Sequence, residues 1–90
     1  MYEFKLYLVD HTAVTAEAVI RLEGILEARL GGKYVLDVIS VMDDPESAER
    51  DDIWATPTIV RTNPEPPRKM IGDFTDPDKL FAALGLNGKA

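Results

Sequence analysis

The chain predicts an α/β domain in the order βαβαββα, a mixed four-stranded sheet with helices packed on it. Two observations carry that expectation. Hydrophobic periodicity switches along the chain between the two-residue repeat of strands and the 3.6-residue repeat of helices. Ala55-Thr56-Pro57-Thr58 then runs into the apolar pair Ile59-Val60. This puts Pro57 at the start of a strand, where its missing N–H breaks no ladder bond and a cis peptide bond is tolerated. A third observation narrows the chemistry. The chain has no cysteine, hence no disulfide, no thiolate metal site and no thiol nucleophile.

The elements follow in order. Tyr2-Glu3-Phe4-Lys5-Leu6-Tyr7-Leu8-Val9 alternates and then turns wholly apolar, as a strand entering a core does. Asp10-His11-Thr12 is a turn. Val19, Leu22, Ile25, Leu26 and Leu30 share one helical face, with Ala18 beside them. Thr15 fits the N-cap, Glu17 suits the positive end, and Gly31-Gly32 stops the helix. Gly24 lies mid-helix at a cost of about 1 kcal/mol relative to Ala. Tyr34 to Val41 is β-branched and nearly continuous, which predicts an interior strand parallel to the first through a right-handed crossover. Asp43-Asp44-Pro45-Glu46 starts a short helix that ends near Asp51-Asp52. Thr58 to Thr62 is a third strand, Asn63-Pro64-Glu65-Pro66-Pro67 a rigid loop, and Arg68 to Ile71 a fourth strand, ended by Gly72-Asp73. Thr75 or Asp76 caps a last helix, with Leu80, Phe81 and Leu84 inward and Gly85 closing it. The expected organisation is one domain over residues 1–90, fraying at 87–90. With a proline opening its third strand, this order is the thioredoxin arrangement. A scaffold that keeps the proline and lacks the dithiol predicts binding in place of redox chemistry.

Composition bounds the function. A formal net charge of -6 disfavours nucleic acid and anionic lipid and suits basic protein surfaces. No apolar run approaches the roughly 20 residues of a membrane helix, and no export signal is visible, so a cytoplasmic location is expected. Candidate chemistry is sparse. His11 is the single histidine and has neither nucleophile nor metal partner, so it reads as a solvated loop residue. Asp43, Asp44, Glu46, Glu49, Asp51 and Asp52 lack the glycine turn of a calcium loop and read as a solvated face or a surface for a basic partner. Gly31-Gly32-Lys33 follows a helix and precedes a strand, the reverse of a phosphate loop. Arg61, Arg68 and Lys69 form a basic cluster, either a contact patch or charges guarding a sheet edge. Trp54 beside a tight turn is either core packing or an interface anchor. No metal, cofactor or catalytic residue is expected.

Several segments together resemble a known family. Lys5-Leu6-Tyr7-Leu8-Val9, Ile25-Leu26-Glu27, Tyr34-Val35-Leu36-Asp37-Val38-Ile39, Asp44-Pro45, Ala48-Glu49, Ala55-Thr56-Pro57-Thr58 and Arg68-Lys69-Met70-Ile71-Gly72-Asp73 occur in the order and spacing of KaiB. KaiB is the small component of the cyanobacterial circadian oscillator and occurs in other bacteria too. The resemblance spans residues 4–86. It implies a non-enzymatic protein that docks on the N-terminal ring of a KaiC-like hexameric ATPase. It further implies competition with the thioredoxin-like sensor of the SasA histidine kinase, and a KaiA-like protein as another partner. A homodimer and a homotetramer are both open as its resting oligomer, in which the C-terminal half is rearranged.

Carried across by position, Tyr34 and the stretch Asp52, Ile53 and Trp54 would meet the ring, and Arg68 and Lys69 fall where the family has paired basic residues. Glu17, Asp37 and Asp52 are acidic where clock members carry basic residues on that surface. The segment that changes structure would include Gly72, Asp73, Ala82, Ala83 and Gly85. Clock members tend to have a glycine at Ala82-Ala83, and Ala in its place favours a helix by roughly 1 kcal/mol. The thioredoxin-like state is therefore expected to be favoured, with residues 76–84 helical. Three functions stay open: a KaiB-type module, a stand-alone SasA-type sensor acting on a histidine kinase pathway, and a cysteine-free enzyme holding a thiol cofactor. The missing nucleophile makes the third the weakest, and an end at Ala90 without kinase domains favours the first.

Overall fold

Strand β1 (Tyr2–Leu8) is one of two inner strands of a sheet laid in the order β2-β1-β3-β4. The computed structural model describes residues 1–9, 12–72 and 74–86; His11, Asp73 and the tail at 87–90 lie outside them. β2 (Tyr34–Ser40) runs parallel to β1, with Lys5 opposite Asp37 and Tyr7 opposite Ile39. β3 (Thr58–Asn63) runs antiparallel on the other side, with Lys5 opposite Val60. β4 (Arg68–Ile71) completes a hairpin with β3 across the proline-rich loop. Helices α1 (Ala13–Leu30), α2 (Pro45–Arg50) and α3 (Pro77–Ala83) complete the order βαβαββα.

Alternation along β1 sends its side chains to two different cores. Phe4, Leu6 and Leu8 join Leu22 and Leu26 of α1, Ile59, and Leu80, Phe81 and Leu84 around α3. Tyr7 and Val60 point the other way and meet Ala48 of the short α2. A long helix with a three-turn apolar face covers one side of the sheet. A six-residue helix covers only part of the other, and that uncovered half carries the surface described below.

Helix ends follow the side-chain chemistry. The α1 cap lies at Thr12, one turn before Thr15, and the two threonines form a reciprocal capping box. Thr15 fits the cap pattern because it is the far half of that box. Asp44 caps α2 and Asp76 caps α3, each followed directly by a proline. Gly31 ends α1 in the left-handed region at φ 57°. A Cβ on Gly24 would meet nothing within 4 Å, so packing offers no reason for that glycine.

Besides the α1 cap, two expectations are corrected. β2 is an edge strand: among the described residues it pairs with β1 alone. Its apolar run packs on α1 with one set of side chains, while Val35 on the other is 51% exposed. Arg61 belongs to no surface patch. It is 6% exposed, and its Nη atoms donate to the main-chain oxygens of Leu84 at 2.8 Å and Pro66 at 2.7 Å. The Thr56–Pro57 bond is cis, as expected, and the Asn63–Pro64 and Glu65–Pro66 bonds are cis as well.

Gly85 yields a first prediction. It sits at φ +69°, and an added Cβ would lie 2.9 Å from Arg61 Nη1 and 3.3 Å from Arg68 Cδ. Gly85→Ala is expected to cost about 1–3 kcal/mol in unfolding free energy through combined backbone and contact strain. Urea denaturation measures it, and an unchanged midpoint would contradict the strain.

Candidate partner-binding surface

The site is built on a buried tyrosine. Tyr7 is fully buried, and its hydroxyl donates to the Asp51 carboxylate and to the Ser47 main-chain oxygen at 3.2 Å. Lys5 Nζ approaches the same Asp51 oxygen at 3.6 Å. Burial foremost, then the Asp51 acceptor, pushes the Tyr7 phenol well above its ordinary 10.0. At the other end of α2, the Asp44 carboxylate accepts from the Ser47 N–H at 3.2 Å and the Ser47 hydroxyl at 2.7 Å, and these bonds hold it below its usual range. The Tyr7 hydroxyl thereby ties the end of α2 to the sheet, and the Asp44 bonds cap its start.

The raised phenol has a consequence for stability. Its folded value lies above the unfolded one, so the contribution is complete below pH 10.0 and is lost as pH rises from there. Unfolding free energy is expected to fall as pH rises above about 10, and Tyr7→Phe should flatten that slope. Urea titrations at stepped pH check it. An equal slope in the variant would place the sensitivity elsewhere.

From this base the loop between α2 and β3 is held in place atom by atom. The Ile53 N–H donates to the Ala48 oxygen at 2.8 Å, and the Ile53 side chain packs on Tyr7, Ala48 and Val60. Asp52 takes a left-handed backbone at φ 60°. Lys69 Nζ reaches across from β4 to the Asp51 and Asp52 main-chain oxygens at 3.0 and 2.9 Å, capping the carbonyl end of α2. Thr58 Oγ1 donates to the Ala55 oxygen at 2.7 Å. On this fixed mount the Trp54 side chain projects outward, 77% exposed. Trp54 is not core filler in this fold.

The expected site residues fall into two groups. Asp52, Ile53, Trp54 and Lys69 come together, and Asp52, Arg68 and Lys69 line one depression of about 220 Å³ with Arg50, Asp51, Val60 and Pro67. Asp37 shares the row of side chains that crosses the sheet through Lys5, Val60 and Lys69. Tyr34 and Glu17 stand apart. Tyr34 starts β2 opposite Tyr2 at the far end of the sheet, its ring 6.4 Å from that of Phe4. Burial, followed by Glu27 and Glu23, raises its phenol as well. It packs. Glu17 is exposed on α1, the helix covering the opposite face. Of the residues expected to change structure, Gly72 follows β4 and donates its N–H to the Pro57 oxygen at 2.8 Å, Ala82 and Ala83 lie in α3, and Gly85 follows it.

The structure adds Met42, which is 72% exposed in the turn before α2. Its signal was available: a large apolar residue between a strand end and Asp43-Asp44-Pro45 belongs to neither hydrophobic period. Among the described residues no three His, Asp or Glu side chains gather to hold a metal ion, and no helix is long and apolar enough to cross a membrane.

A parallel β1-α1-β2 unit joined to an antiparallel β3-β4 hairpin, with a cis proline ahead of β3 and no cysteine, defines a thioredoxin-like domain without its dithiol. The solution structure of the N-terminal domain of Synechococcus elongatus SasA matches it with a TM-score of 0.75 and 25% identity, covering 99% of this chain and 88% of that one. A profile of the KaiB domain matches residues 5–86. The circadian clock oscillator protein KaiB of Microcystis aeruginosa is 42% identical over 85 residues, covering 94% of this chain and 82% of its own length. Its counterpart from Synechococcus elongatus is 41% identical over the same length, covering 83% of its own. The chain belongs to the KaiB family.

Proposed function

We propose that the protein is a non-enzymatic regulatory binding module of the KaiB type, acting in a clock or a related signalling system. It docks on a KaiC-like hexameric ATPase. Asp52, Ile53 and Trp54 form the centre of the contact, with Arg68, Lys69 and Asp37 around it, and Tyr34 and Glu17 lie outside it. The observation that carries this reading is the exposure of Trp54 on a loop that main-chain and side-chain bonds hold in place. A large aromatic presented in a fixed conformation loses little entropy on binding, which is the property of an anchor. Membership of the KaiB family supports the choice of partner, and Ala82 and Ala83 in α3 support the thioredoxin-like state as the binding-competent one.

A second reading has its own support in the likeness to the SasA N-terminal domain: a stand-alone sensor that engages a histidine kinase. A pull-down with the host's KaiC-like ATPase, loaded with ATP or with ADP, separates them. Retention in at least one nucleotide state is expected. No retention in either leaves the kinase reading.

A further inference from the structure

The two flanks of α2 carry large apolar side chains that nothing in the fold uses. Met42 precedes the helix at 72% exposure and Trp54 follows it at 77%. The backbone on both sides is fixed. The Asp43 and Asp44 N–H groups donate to the Ser40 oxygen at 3.0 and 2.9 Å, and the Asp52 N–H donates to the Glu49 oxygen at 3.1 Å. Met42 and Trp54 are therefore held either side of one rigid helix. Between them, Ser47 and Ala48 face inward while Glu46 and Glu49 are exposed.

Charge selects the occupant. Residues 42–54 contain six carboxylates and one arginine, which is five of the six net negative charges of the chain. Asp51 is turned inward to Tyr7 and Lys5, whereas the Asp52 side chain is 91% exposed. Asp52 lies 4.0 Å from Lys69 Nζ, yet the stretch keeps its net negative charge, and an apolar pair separated by such an acidic ridge cannot be covered by an acidic or a wholly apolar surface without leaving carboxylates desolvated. A second copy of this acidic face would repel it.

We infer that the α2 face takes a basic protein surface with two apolar recesses, Met42 entering one and Trp54 the other. The inference rests on the docking reading above and adds the chemistry of the partner and a second anchor. Glu46, Glu49 and Asp52 set the approach, and the two apolar side chains set the residence time.

Trp54 is the single tryptophan of the chain, so its fluorescence reports occupancy directly. Two probes are used with the full chain: the KaiC-like ATPase ring of the same host, and a synthetic amphipathic helix of leucine and lysine. The same helix with glutamate for every lysine is the control. The ring and the lysine helix should each shift Trp54 emission to the blue, and the glutamate helix should not. Raising NaCl from about 50 to about 300 mM should weaken binding at least tenfold, as should the pair Glu46→Lys and Glu49→Lys. Met42→Ala should weaken it about fivefold or more while leaving the urea midpoint in place. Ring binding that is indifferent to salt and to charge reversal overturns the inference and spares the docking reading. A response to the lysine helix without ring binding retires the ATPase as partner and keeps the inference. No blue shift with either probe overturns both.

Discussion

Arg61→Met is expected to destabilise the domain by about 3–5 kcal/mol, the largest single loss outside the apolar core. Arg61 is almost wholly buried. Nη1 donates to the Leu84 oxygen at 2.8 Å and lies 3.5 Å from the Gly85 oxygen, and Nη2 donates to the Pro66 oxygen at 2.7 Å. Each hydrogen bond from a charged donor contributes roughly 1.5–3 kcal/mol. Methionine keeps most of the apolar stem and supplies no donor, so the carbonyls at the end of α3 and in the hairpin loop lose their partner together. Lysine carries the charge on a single nitrogen and cannot reproduce the fork. Arg61→Lys should therefore recover only part of the loss. Urea denaturation measures both variants, and amide exchange in α3 shows where the damage falls. A loss below about 1 kcal/mol would mean that water replaces the guanidinium at these carbonyls.

Trp54→Ala should do the opposite: leave folding alone and abolish most of the binding. The side chain is 77% exposed and belongs to neither core, so unfolding free energy should move by no more than about 0.5 kcal/mol. Truncating a central aromatic anchor costs 2 kcal/mol or more, about 30-fold in Kd. Calorimetry or fluorescence anisotropy against the ATPase ring reads the second quantity. The split between the two measurements is the diagnostic. A variant that loses stability and keeps its affinity would return Trp54 to a packing role.

Legibility in the sequence followed the physics of each feature. The inward faces of α1 and α3 were readable because Leu22, Leu26, Leu80, Phe81 and Leu84 repeat at helical spacing, and all five are fully or almost fully buried. The proline ahead of β3 was readable because few backbones accept a Thr-Pro-Thr there. The place of β2 was not. An apolar run records which side chains are covered and says nothing about how many strands lie alongside. Arg61 misled for a related reason, since its partners are carbonyls 23 and 5 residues away and carry no residue-type signal. In the candidate site, Asp52 stood out in an acidic stretch and Trp54 beside a tight turn, whereas Ile53 entered through family resemblance alone. The Tyr7–Asp51–Lys5 network beneath them joins residues more than 40 positions apart and became visible only once folded.

The unshared side of β2 bears on how the protein behaves in a tube. Seven residues of straight main chain run along that border with Asp37 as their one formal charge. In a molecule whose net charge vanishes near pH 4.6, mutual repulsion fails just where an unguarded ribbon is ready to stack on another. Turbidity should rise steeply as concentrated solutions are brought toward that pH, and Val35→Lys should keep them clear.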